Sequence, residues 1–353
     1  MAYTTINDPS AYFQTVLYTG NGGTQSITNT GNSDLQPNWI WTKVRSETGS
    51  SRLVDTVRGL AKPMFSNGAD ADADETNYSA FDSDGFSLVN ESLNESSRTY
   101  VAWQWKAGTS FSNDASSTSV GSIDSTGSVN TDAGFSIISY AGTGSAATVA
   151  HGLGVAPAWI LLKDRDSASH DWFNYHQSLG NGKYMRTNST DGEATASTIW
   201  NDTSPTTSVF SIGTNENMST SGNNFIAYCF AEKKGYSKFG KYTGNGDANG
   251  PFVHTGFRPS WIMMKQTGNS KNWVMSDLAR SDVPNGNVND QVVYANLNNS
   301  EESSSGLSID IVSNGFKIRG NGGDRNIDGS TYIYMCFANN PFVTSTSIPA
   351  TAG

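Results

Sequence analysis

Cysteine is almost missing from this chain of 353 residues, which has only Cys229 and Cys336. A disulfide framework is therefore excluded as the organising principle. Both cysteines fall at the same place in a repeated motif and read as buried free thiols. Charge is scarce as well. Asp, Glu, Lys and Arg make up 15 % of residues, with 22 basic against 32 acidic side chains and a net charge of −10. No basic cluster stands out, so neither nucleic acid nor an anionic membrane surface is an expected partner. No apolar run approaches ~18 residues, the length that crosses a bilayer. The opening residues, MAYTTINDPSAYFQ, lack the basic and apolar regions of a signal peptide.

Catalytic signatures are missing too. There is no Gly-x-Ser-x-Gly elbow, no phosphate loop and no Cys/His pair. The four histidines are His151, His170, His176 and His254. His170 and His176 flank a strand-like run, and a spacing of six sets them ~20 Å apart along it, too far to share a metal. Asp70, Asp72 and Asp74 sit in an acidic run that looks like the start of a calcium loop. Glu75 stands where such a loop needs Gly, and Phe81 where it needs a bidentate Glu, so they form a weak metal candidate and a solvated loop is the reading. The pairs Asp82/Asp84 and Asp164/Asp166 resemble a glycosidase dyad only by residue type, since Asp is common in turns. No enzyme and no cofactor are expected.

Aromatic residues and glycine are plentiful: 9 Trp, 14 Tyr, 16 Phe and 36 Gly. That composition suits an all-β protein with many turns. The stretch 225–265 shows the organisation. A strand-like run, Phe225 to Phe230, closes one unit. A short polar link follows, and YTGNG (Tyr242 to Gly246) with PSWIMMK (Pro259 to Lys265) opens another. YTGNG recurs at Tyr18 to Gly22. The Pro-x-Trp-Ile-x-x-Lys run recurs at Pro37 to Lys43 and Pro157 to Lys163. The closing run recurs as Tyr100 to Trp105 and Tyr332 to Phe337. The chain therefore reads as three tandem antiparallel β-sandwich or jelly-roll-like repeats of roughly 100 residues. A lead-in and first module cover 1–107. A Gly/Ser/Thr linker covers 108–134, the second module 135–232 and the third 233–338. A polar tail, 339–353, follows. The long 108–134 stretch predicts a first module set apart from a rigid second–third pair. The linker and tail, too polar to fold alone, would be held by a neighbouring subunit.

Within a copy the apolar period is two. In the second copy the expected strands are 135–141, 157–163, 171–176, 183–186, 198–201, 209–212 and 225–230. The Pro-x-Trp run is apolar on both faces: Trp39 and Trp41 against Ile40, Trp159 and Leu161 against Ile160 and Leu162, Trp261 and Met263 against Ile262 and Met264. Such a strand is covered on both sides. In the closing run, Val101, Trp103 and Trp105, with Ile226, Tyr228 and Phe230, mark the core face. The opposite face, with Gln104, Ala227 and Cys229, reads as partly packed. Asp55-x-x-Arg58 and Asp277-x-x-Arg280 recur in two copies and suggest an internal ion pair that fixes a loop. Tyr18, Tyr140 and Tyr242, at the start of the Gly-rich loops, and Trp172 and Trp273, which follow loops, are the candidate ligand-binding aromatics, because planar rings stack on sugars and peptides.

The set YTGNG, Pro-x-Trp-Ile-x-x-Lys, FDSDGFSL (Phe81 to Leu88), YVAWQWKAG (Tyr100 to Gly108), NTDAGFSIISY (Asn130 to Tyr140), HGLG (His151 to Gly154) and AYCFAE…GYSKFGKYTGNG (Ala227 to Gly246) resembles tandem β-modules in virion proteins of marine bacteriophages, notably cyanophages and pelagiphages. The resemblance spans nearly the whole chain and brings no active site with it. It implies a non-enzymatic virion surface protein, a tail-associated or fibre-like appendage that meets the host, with a head decoration or head-fibre protein as the alternative. Implied partners are other virion proteins, further copies in a symmetric assembly, and host-surface glycan or protein.

Overall fold

The run Trp39–Val44 has no polar face to turn to water, and its fold answers that. In a computed structural model, which describes residues 3–89, 91–282 and 287–349, this strand lies in the middle of a five-stranded antiparallel sheet. Its neighbours are the closing strand Thr99–Trp105 and the hairpin strand Arg52–Asp55. The opening strand Phe13–Thr19 forms one edge and Gly59–Phe65 the other. The same path is taken twice more. Phe135–Ala141, Asn224–Phe230, Trp159–Asp164, Phe173–His176 and Lys183–Arg186 follow one another in the second large sheet. Ser237–Thr243, Thr331–Pro341, Phe257–Gln266, Val274–Asp277 and Gln291–Tyr294 do so in the third. Register repeats as well: Trp39 pairs with Trp105, Trp159 with Phe230 and Trp261 with Phe337.

Each large sheet has two buried faces. Outward, a small sheet covers it, such as Gln25–Ile27 with Gly85–Leu88 and Tyr78–Asp82 over the first. Ile40, Ile160 with Leu162, and Ile262 with Met264 fill these three outer cores. Inward, the three large sheets face one another. Trp39, Trp41, Trp159, Leu161, Trp261 and Met263 all enter one shared core. All nine tryptophans are buried, and eight lie in that core. Trp105, Phe230 and Phe337, which occupy the same position in their sheets, meet pairwise with ring centroids 6.4, 5.6 and 5.5 Å apart. They mark a pseudo-threefold axis.

This packing corrects two expectations. The core face of the closing run is the face between modules, and its opposite face is buried too: Gln104, Ala227 and Cys229 have no exposed surface. Nor is the first module set apart. Trp39 stacks on Tyr228 at 4.4 Å in the second module, and Trp103 lies 6.4 Å from Trp261 in the third. Each tryptophan withdraws about 200 Å² from water, roughly 5 kcal/mol at 25 cal/mol/Å², so no module leaves this core easily.

The stretch 108–134 is not a linker. Ser125–Asn130 pairs with Phe135–Ala141, and Thr109–Asn113 pairs with Ser125–Asn130, so the two strands widen the second sheet to eight. Ser and Thr suit a strand whose hydrogen bonds are met by a neighbour, and composition alone missed the pairing. The expected strand at 198–201 is a helical turn, Ser197–Trp200, ended by Asn201 in the left-handed conformation (φ 53°). It turns Ile199 and Trp200 into the outer core. Of the tail 339–353, residues 350–353 lie outside the described residues.

Candidate functional site

The three tyrosines expected to meet ligand are buried instead, each in the same way. Tyr18 stacks on Tyr100 at 4.9 Å, Tyr140 on Phe225 at 5.1 Å and Tyr242 on Tyr332 at 5.0 Å. Each hydroxyl donates to a backbone carbonyl, of Leu93, Met218 or Arg325, at 2.7–2.9 Å. Burial raises all three pKa values well above 10. Trp172 and Trp273 are likewise fully buried. The indole N–H of Trp172 donates to the Phe65 carbonyl of the first module, and that of Trp273 to the Arg186 carbonyl of the second, both at 2.8 Å. The tyrosines brace their own modules and the two tryptophans join neighbouring ones, so the five rings are structural and not ligand contacts. Sequence alone could not separate the two roles, because a stacking ring on a surface and one in a core leave the same letter.

Of the acidic run, Asp72 is drawn into the protein, while Asp74 lies at the surface. Asp72 accepts from Arg58 and from Arg165 of the second module, each at 2.9 Å, and Asp74 pairs with Lys62. Asp70 is exposed. Among the described residues no group of three His, Cys, Asp or Glu side chains could hold a metal ion. His170 bonds Asp164 at 2.8 Å, whereas His176 donates to the Tyr334 carbonyl of the third module at 3.2 Å, so the two are not brought together. Burial lowers the pKa of His151 and of His176 to about 4. Asp82 and Asp84 accept from Ser87 and from the Leu35 amide, and Asp164 and Asp166 accept turn amides, so these carboxylates cap loops.

Three interfaces built from equivalent residues close the ring. The lysine that ends each Pro-x-Trp-Ile-x-x-Lys run crosses to the next module. Lys43 donates to the Asn298 carbonyl at 3.1 Å, Lys163 to Ala69 at 3.0 Å and Lys265 to Thr190 at 3.0 Å. Burial lowers the pKa of each to about 8. At two interfaces a buried carboxylate takes a further bond from the neighbour. Tyr228 donates to Asp55 at 2.6 Å, and the Trp103 indole donates to Asp277 at 3.0 Å. Arg58 and Arg280 pair with the same carboxylates, each at 2.6 Å. At the third interface the corresponding residues are His176, Leu179 and Met335. The second copy lacks Asp-x-x-Arg because its neighbour offers a thioether where the others offer an O–H or N–H donor. Repetition of the lysine was legible in the sequence; its role across an interface was not.

The repetition also fixes where the loops lie. Head-to-tail interfaces that repeat around an axis place all three copies of a loop at one end. The loops after Tyr18, Tyr140 and Tyr242 share that end. Each carries two glycines with separate reasons. A Cβ on Gly20, Gly142 or Gly244 would strike the carbonyl oxygen of Glu95, Thr220 or Ile327. Gly22, Gly144 and Gly246 have φ of 78°, 75° and 68°. A polar side chain behind each loop pins it: Asn94 and Asn326 accept from the Asn21 and Asn245 amides at 3.0 and 2.9 Å, and Ser219 accepts from the Thr143 amide at 3.3 Å. Asn21, Thr143 and Asn245 themselves are exposed. The described chain enters and leaves at the opposite end, where Phe13–Thr19 begins and Thr331–Pro341 finishes. This rim of rigid, small, polar loops is the candidate contact surface.

Residues 8–341 match a family described as a domain of unknown function (DUF7483). No curated protein matches the chain.

Proposed function

The chain belongs to the DUF7483 family, and we propose that it is a non-enzymatic surface protein of a bacteriophage particle, a tail-associated or fibre-like appendage that contacts the host with its loop rim. The observation that carries this reading is polarity along the axis. Three equivalently braced loops stand at one end, and the described chain enters and leaves at the other. Such a body can be anchored by one end while presenting three contacts at once, and linked weak contacts add up to useful avidity. The motif resemblance supplies the particle; the geometry supplies the direction. Purified protein is expected to bind susceptible cells. Arginine at exposed Thr24, Ser145 and Ala248 should abolish binding and leave the melting temperature unchanged. Unaltered binding by that triple variant would refute the rim as the contact.

A head decoration is the second reading, favoured by the pseudo-threefold ring. A body of that symmetry matches a threefold position in a capsid lattice. Image reconstruction of the particle separates the two: density on the tail supports the first, density at lattice positions the second, and absence from the particle defeats both.

A further inference from the structure

The three interfaces differ in a further respect, which points to an assembly contact. Beside each opening strand runs a groove, closed on its far side by a turn of the adjacent module. In the second module the groove is filled by the chain itself: Ser125–Asn130 pairs with Phe135–Ala141 there, next to Thr56 and Val57 of the first module. In the third module it is shut. Phe239 is buried, and Gln177 of the second module donates to its carbonyl at 2.6 Å. In the first module the equivalent residue is the smaller Thr15, and the groove is open. Its volume is about 250 Å³, between Thr15 on one side and Ser260, Leu278 and Ala279 of the third module on the other.

The open groove carries the marks of a seat. No charged residue lines it. The Thr15 hydroxyl is buried and has no hydrogen-bond partner, an arrangement that costs about 1–3 kcal/mol when left unmet. Phe13–Thr19 pairs on one side only, and apart from the Thr19 carbonyl, which accepts from Gln25, its outer edge is open to a further strand.

We infer that this groove receives the C-terminal tail of a second copy of the chain, added as a strand beside Phe13–Thr19. The tail suits it. Residues 342–353, FVTSTSIPATAG, carry no charged side chain and are rich in Ser and Thr, like the strand STGSVN that fills the equivalent groove in the second module. Beyond Phe342, its side-chain hydrogen bonds to the body run between Ser345 and Asn7, at the surface. Ile348 is 62 % exposed, more than any other large apolar side chain described. In the free chain residues 343–349 turn back on themselves, with Val343 bridging Pro349, and this turn opens on exchange; residues 342–349 alone reach about 26 Å when extended.

The inference stands apart from the particle reading, because it is tested with the purified full chain alone. Sedimentation velocity across a wide range of concentration should show association of the full chain. A chain ended after Pro341 should be monomeric, as should Thr15→Phe, which copies the residue that closes the third groove. Both variants should melt like the full chain. Mixing Thr15→Cys chains with Ile348→Cys chains under oxidising conditions should give a linked pair. A full chain that stays monomeric overturns the inference. So does association that survives either variant, or a mixture that yields no linked pair.

Discussion

The interface between the first two modules can be rewritten in the terms of the interface between the last two. At the first, Asp55 accepts from the Arg58 Nε at 2.6 Å, the Tyr228 hydroxyl at 2.6 Å and the amides of Val57 and Arg58 at 2.9 Å. Arg58 also reaches Asp72, Leu53 and Lys62. At the other, His176, Leu179 and Met335 stand in place of Asp55, Arg58 and Tyr228. Arg58→Leu alone strands a buried carboxylate and should cost about 3–5 kcal/mol. Tyr228→Met alone removes two hydrogen bonds to charged groups, one given to Asp55 and one taken from Arg58, and should cost about 3 kcal/mol or more. Asp55→His alone leaves Arg58 facing an imidazole, with Asp72 as its remaining acid, and should cost about 3 kcal/mol. The triple variant removes the charge pair together with its donor and keeps Arg165 on Asp72 at 2.9 Å. What remains is the loss of a donor at the Leu53 and Lys62 carbonyls and at Asp72, about 1 kcal/mol each, while the imidazole can take a turn amide as His176 takes that of Ser178. The triple should thus cost about 3 kcal/mol, several kcal/mol less than the sum of the singles. Guanidinium unfolding with a common m value measures this. A triple variant as destabilised as the summed singles would show that the charge pair is not interchangeable with the apolar set, and would defeat the account of why the second copy does without it.

Other outcomes follow from the same packing. His151 and His176 hold pKa values near 4 when folded, against about 6.5 unfolded. The unfolded chain takes the proton first, so stability should fall as pH drops from 6.5 toward 4, by about 3 kcal/mol per histidine; His176→Gln should flatten part of that slope in urea titrations at pH 7 and pH 4.5. Gly244→Ala should cost about 1–3 kcal/mol, because its Cβ meets backbone, read as a lower melting temperature; a neutral result would mean that the loop is not braced. Trp172→Phe removes a buried donor from the Phe65 carbonyl and should cost about 1–3 kcal/mol, with unfolding still a single transition by fluorescence and circular dichroism. Limited proteolysis should spare Thr109–Asn113 and Ser125–Asn130, which are paired strands; early cleavage inside either would return 108–134 to the status of a linker.

The all-β class was legible because period-two patterning and turn residues act locally. Ile40 opposite Trp41 told of two covered faces, but not of what covers them. A side chain that meets a small sheet and one that meets another module obey the same hydrophobic term. The expectation of a separated first module failed for a related reason: Ser, Thr and Gly compose both linkers and strands whose polar backbone is satisfied by neighbours. The candidate aromatics failed because the signal was residue type, and burial is set by long-range contacts such as Tyr18 on Tyr100. The loop glycines were visible as turn formers. Their common end became visible only once Lys43, Lys163 and Lys265 were seen to repeat one interface.

The closed ring of three interfaces has a further consequence. In an assembly of three separate identical chains, every substitution is made three times over, and dilution can dissolve the whole. Here one backbone carries all three parts, so closure does not depend on concentration and each position can change once. The tolerance is visible already: an aspartate–arginine pair at two junctions faces a histidine–leucine set at the third. A body that began as three equal sides can therefore give each side its own occupation, and the filled, shut and open grooves beside the opening strands are three such occupations.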